Sequence, residues 1–103
     1  MKETLERNEM NHIRESIGDA ACYEQLAEEA SELAHACLKA ARILRGENPT
    51  PAILEEVHEK VEEEYTDVIV AATVLDIRKN NLIESHKIMR WVTRIKEANN
   101  EYR

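Results

Sequence analysis

Apolar side chains recur along the chain at steps of three and four residues, the period of helices with one buried face. Leu5, Met10, Ile13 and Ile17 mark a first helix over about Thr4 to Ile17, with Gly18 suited to close it and Asp19 placed to cap the next. Cys22, Leu26, Leu33, Cys37 and Ala40 form the inward stripe of a second helix, from about Ala20 to Leu44. The pattern then breaks at Arg45-Gly-Glu-Asn-Pro-Thr-Pro, which holds both prolines of the chain and one of its two glycines and reads as a loop. Thr50 as N-cap and Pro51 as first helical residue start a third helix that continues to about Arg78, with Val57, Val61, Val68, Ala72 and Leu75 inward. Asn81, with Glu84 three residues on, resembles a capping box and opens a fourth helix that carries Ile88, Val92, Ile95 and Tyr102 inward. The expectation is an all-α fold, a single domain over residues 1–103, with four helices of which the two long middle ones run antiparallel.

The same periodicity exposes an anomaly. On the third helix the apolar steps leave one gap, between Val61 and Val68, and Glu64 falls in it. Asp67 follows at i+3 and projects from the same side. The second helix repeats the pattern: Glu29 lies between Leu26 and Leu33 on the inward stripe, Glu32 is one turn beyond, and Glu28 borders the pair. Buried carboxylates must meet a cation or take up protons, because an uncompensated charge is costly away from water. Two antiparallel helices presenting Glu29, Glu32, Glu64 and Asp67 to each other suit a hard cation with oxygen ligands, Mg²⁺ first and Mn²⁺ as a substitute. A second E-E-x-x-E string, Glu55, Glu56 and Glu59, lies near the start of the third helix, where acids favourably meet the helix dipole, and reads as a solvated face.

Composition narrows the setting. Two glycines, two prolines and no phenylalanine, with Glu, Lys, Ala, Leu and Arg throughout, fit long helices rather than sheet. At 103 residues the domain buries only a modest core, so partner chains are expected to matter. A formal charge of −7 argues against a passive nucleic-acid binder, and no DNA or RNA partner is expected. Acidity does not exclude nucleotides, since divalent cations bridge carboxylates and phosphates. The longest apolar run, Val68 to Leu75, is too short to cross a bilayer, and Cys22 and Cys37, about 22 Å apart on one helix, read as thiols of a reducing cytoplasm.

Glu28-Glu29-Ala-Ser-Glu32-Leu-Ala, followed on the next helix by Glu64-Tyr-Thr-Asp67-Val, resembles the E-E-x-x-E and E-x-x-D pair of the MazG-like, all-α nucleoside triphosphate pyrophosphohydrolases in order, helix placement and separation. The resemblance covers most of the chain from Ala20 onward. It implies that Glu29, Glu32, Glu64 and Asp67 are metal ligands and that Glu28 serves a second metal or orients the attacking water. It further implies cleavage between the α- and β-phosphates of a nucleoside triphosphate, nucleotide-pool house-cleaning, and assembly as a homodimer or homotetramer. Lys96, Asn100 and Arg103 are similar to the K-x-x-x-N-x-x-R tail of some relatives and are candidate phosphate contacts. Arg90 and Arg94 compete for that role, and Lys39, two turns past Glu32, is a further candidate. Trp91 and Tyr102 fit a core or an interface better than a base-stacking platform.

Two other classes fit parts of the pattern. Glu9 with His12, Glu32 with His35 and Glu55 with His58 each spell E-x-x-H, the helical chelate of di-iron carboxylate bundles. A non-enzymatic helical module would use the apolar stripes for oligomerisation alone.

Overall fold

The computed structural model describes residues 2–47 and 53–99, and all the regular secondary structure among them is helical: α1 (Lys2–Ile17), α2 (Asp19–Leu44), α3 (Leu54–Val74) and α4 (Asn81–Ala98). Thr50, Pro51 and Tyr102 lie outside the described residues. No described helix is long and apolar enough to cross a membrane.

The boundaries follow from local chemistry. α1 stops at Gly18, whose φ of +87° is a conformation that side chains disfavour and whose N–H bonds the Arg14 carbonyl at 2.8 Å. Asp19 does not cap α2 as expected. It is the first helical residue, and its carboxylate takes the Arg14 Nε at 2.8 Å, so Gly18 occupies the cap position. α2 ends in a Schellman motif, with Gly46 at φ +73° and the Glu47 N–H returning to the Arg42 carbonyl. α3 ends in the same way but four residues before the expected Arg78: Asp76 takes φ +59° and the Ile77 N–H closes on the Ala72 carbonyl. Aspartate tolerates that left-handed position better than most residues, so α3 stops without a glycine to announce it. α4 is capped by Asn80 rather than Asn81, its side chain accepting the Ile83 N–H at 3.0 Å.

α2 and α3 pack along most of their length and carry the fold, with α1 resting on both. They are antiparallel: Cys22 meets Val74 and Leu75 at one end, Glu29 meets Glu64 and Asp67 in the middle, and Ala36 and Lys39 line one cavity with Val57 and Lys60 toward the other. Met10 and Leu26 close over the Cys22, Val74 and Leu75 cluster. The buried stripe drifts by one position from the expected one. On α2, Ala36 is buried and Cys37 exposed, against the expectation of a buried thiol; on α3, Ala71 and Val74 join Val57 and Leu75. A 3.6-residue period does not keep step with a strict alternation of threes and fours, and small residues sit where the helices approach.

α4 contacts none of the other described helices. Ile88, Val92 and Ile95, expected inward, are exposed, and Trp91 is 70% exposed. The amphipathic pattern specifies that this face be covered without specifying by which chain. The radius of gyration, 18.2 Å, well exceeds the roughly 13 Å of a compact domain of this length. Leu75→Ala should destabilise the chain by about 2–4 kcal/mol in urea unfolding, as the largest side chain of the small core, and a cost below about 0.5 kcal/mol would show that this cluster does not hold the helices together.

Candidate metal centre

Between the apolar contacts at the two ends of the α2 and α3 seam lies a patch of carboxylates. Glu64, on the buried stripe of α3 where the sequence pattern leaves its gap, is only 5% exposed. Asp67, one turn further, and Glu29, on the facing stripe of α2, are half-buried. One oxygen from each of Glu29, Glu64 and Asp67 lies within 4.8 Å of the other two. That spread is comparable with the roughly 4 Å between opposite oxygens around Mg²⁺, twice its metal–oxygen distance of about 2.1 Å.

Each of the two innermost acids is held by one oxygen. Gln25 Nε2, a turn earlier on α2, donates to Glu29 Oε1 at 2.8 Å. Lys60 Nζ, a turn earlier on α3, meets Glu64 Oε1 at 2.8 Å and lies 3.8 Å from Glu63. The remaining oxygens, Glu29 Oε2 and Glu64 Oε2, are buried and have no hydrogen-bond partner when the acids are ionised. Buried polar atoms in folded proteins are nearly always satisfied, so two orphaned carboxylate oxygens in one cluster fit the hard, all-oxygen donor set that Mg²⁺ or Mn²⁺ requires.

Glu32 sits at the exposed edge of the group. The charge of Glu29, then partial burial, then the charge of Glu64 raise its pKa. Glu64 moves the other way: the hydrogen bond from Lys60 holds its carboxyl below the usual range. Of the two carboxyls, Glu32 therefore takes up a proton more readily than Glu64. Glu28 is exposed and adds its charge to the same edge.

The structure brings Lys39 to the site and leaves Lys96 apart from it. Lys39 lines a cavity of about 380 Å³ together with Glu32, Glu64, Lys60 and Arg42. Lys96 stands exposed on α4, which reaches none of the acids within the chain; Asn100 and Arg103 lie outside the described residues. Arg90, Arg94 and Trp91 line a shallow basin on α4 itself. Glu55, Glu56 and Glu59 are all exposed, as a solvated face requires. Of the E-x-x-H pairs, Glu32 and His35 border the acid cluster, whereas His12 is exposed on α1 and His58 pairs with Glu62 at 3.1 Å. Sequence reasoning missed Lys60, Gln25 and Arg42. Lys60 and Gln25 each stand four residues before an inward acid, a signal of helical pairing that is common on charged helices.

Comparison with known protein families, curated proteins and solved structures finds no match for this chain.

Because the folded state raises the pKa of Glu32, its ionised form destabilises the fold, and stability is gained as pH falls from neutral through that raised value. Glu64, with its lowered pKa, contributes stability above the usual glutamate range that is lost only at more acid pH, as its folded value is crossed. In chelator, acidification from about pH 7 to about pH 5 should raise the melting temperature of the wild type relative to Glu32→Gln, which lacks the titration. Parallel melting curves for the two proteins across that range would contradict the coupling.

Proposed function

We propose that this chain is a Mg²⁺-dependent nucleoside triphosphate pyrophosphohydrolase of the MazG-like kind, with Mn²⁺ able to replace Mg²⁺. The observation that carries the reading is Glu64: a buried carboxylate with one oxygen on Lys60 and the other without a partner, facing a cluster that includes Glu29 and Asp67. A generic surface acid has no reason to be placed there. The motif pair Glu28-Glu29-x-x-Glu32 and Glu64-x-x-Asp67 supplies the reaction class.

Glu29, Glu64 and Asp67 would hold the metal, with Glu32 joining from the exposed edge. When bound, Mg²⁺ neutralises the triphosphate and lowers the pKa of a coordinated water. Hydrolysis adds water across the α–β phosphoanhydride: a P–O bond to the water oxygen forms, the bridging P–O bond breaks, and the products are the nucleoside monophosphate and pyrophosphate. Glu28, the exposed carboxylate beside the cluster, would take the proton that water releases. Lys60 keeps Glu64 ionised and fixed.

The proposal extends to assembly as a homodimer or homotetramer. α4 leaves Leu82, Ile88, Trp91 and Ile95 each at least half exposed, and contiguous apolar surface of that kind marks a protein interface. The two free cysteines fit a reducing cytoplasm, where a house-cleaning nucleotide hydrolase would work.

A panel of nucleoside triphosphates with Mg²⁺ should release pyrophosphate for at least one substrate, and Glu64→Gln should lower that turnover by on the order of 100-fold or more with helicity retained. Folded, metal-loaded protein that turns over no member of the panel would sink the enzymatic reading. The same preparation should sediment as a dimer or tetramer with blue-shifted Trp91 emission; a monomer with water-exposed Trp91 would contradict the assembly.

A further inference from the structure

The exposed edge of α2 beside the seam changes sign along its length. Glu32 gives way, one turn at a time, to His35, then Lys39, then Arg42. These positions step by three and four, so they share one helix face, and at 1.5 Å per residue Lys39 and Arg42 lie about 10 and 15 Å beyond Glu32 along the axis. Across the seam α3 contributes Lys60. The cavity of about 380 Å³ that opens at Glu32 and Glu64 continues to exactly these cations, Lys39, Arg42 and Lys60. A smaller one of about 130 Å³, lined by Ala36, Lys39, Glu56, Val57 and Lys60, shares Ala36, Lys39 and Lys60 with it. Lys60 is already engaged by Glu64, whereas Lys39 and Arg42 stand exposed at the cavity wall.

We infer that this cavity is the seat of the β- and γ-phosphates, and hence of the leaving pyrophosphate, with Lys39 and Arg42 as its phosphate-binding residues. The inference rests on the pyrophosphohydrolase reading and adds the direction in which the triphosphate lies: nucleoside side toward Asp67, polyphosphate end toward the C-terminal half of α2. Charge supports that direction. The terminal two phosphates carry most of the negative charge of the substrate, and the acids at Glu29 and Glu64 accept phosphate only through a bridging cation. A few residues further on, the lining is cationic and takes phosphate directly. Arg42 offers the planar fork that pairs with two phosphate oxygens, and Lys39 a mobile point charge. As the α–β bond breaks, negative charge accumulates on the pyrophosphate, and both cations then stabilise the departing group more than the intact substrate.

The test uses the full chain, calorimetry with Mn²⁺ alone, and then inorganic pyrophosphate added to the Mn²⁺-loaded protein. Lys39→Met and Arg42→Met should each weaken pyrophosphate binding by about tenfold, the loss of one charge-assisted contact, while Mn²⁺ binding changes by less than about twofold. Inhibition of turnover by the product nucleoside monophosphate should be unchanged in both variants. Pyrophosphate bound equally well by wild type and both variants overturns the subsite, as does wild type that binds Mn²⁺ but no pyrophosphate, or variants that lose monophosphate inhibition instead. Wild type that binds neither Mn²⁺ nor pyrophosphate overturns the metal-centre reading itself.

Discussion

Glu64 sits at 5% exposure in the seam between the two longest helices, and the rest of the molecule is arranged around keeping a charge at that depth. Lys60, one turn back, reaches one oxygen at 2.8 Å while more than half of its own side chain stays in water, so the ammonium is not itself buried to serve the carboxylate. Facing acids on α2 and α3 repel, and the apolar contacts that bracket them oppose this: Cys22, Val74 and Leu75 at one end, Ala36 and Val57 at the other. The core is correspondingly small. Its buried apolar members are a cysteine, two alanines, two valines and one leucine, and no described side chain is completely enclosed.

Much of this arrangement was legible in the sequence, and the reason is periodicity. Glu64 stood out because a carboxylate filled the gap in a three-four stripe, and it is the one buried charged residue among those described. Glu29 and Asp67 followed from the same faces, and both come within reach of Glu64. Glu32 belongs to the same motif but lies at the exposed edge, because a step of three from Glu29 falls about 60° short of a full turn. Helix starts and stops were less legible. Asp76 ends α3 from a left-handed backbone position that is unremarkable in the sequence, and Asn80 rather than its neighbour Asn81 caps α4. Lys60 escaped notice since a lysine four residues before a glutamate is commonplace on helices of this composition.

The fourth helix shows a different limit. Its amphipathic pattern marks an apolar face, yet Ile88, Trp91 and Ile95 find no cover among the described helices. Periodicity is a property of one helix, whereas burial depends on where a partner lies, and for a chain with a radius of gyration of 18.2 Å that partner need not be intramolecular. The same fact separates the candidate phosphate contacts. Lys39 belongs to the helix that carries Glu29 and is brought to the acids by the fold of a single chain, while Lys96 rides on α4 and is not.

If the orphaned oxygens of Glu29 and Glu64 belong to a divalent cation, metal binding must stabilise the fold without any nucleotide. Thermal unfolding should be followed in chelator and then with Mn²⁺ at about 100 times its dissociation constant, for the wild type and for Glu64→Gln. Binding restricted to the folded state stabilises it by about 2.7 kcal/mol under those conditions. The account predicts a clear rise in the melting temperature of the wild type and little or none for Glu64→Gln. No rise in the wild type, or an equal rise in both proteins, would contradict it.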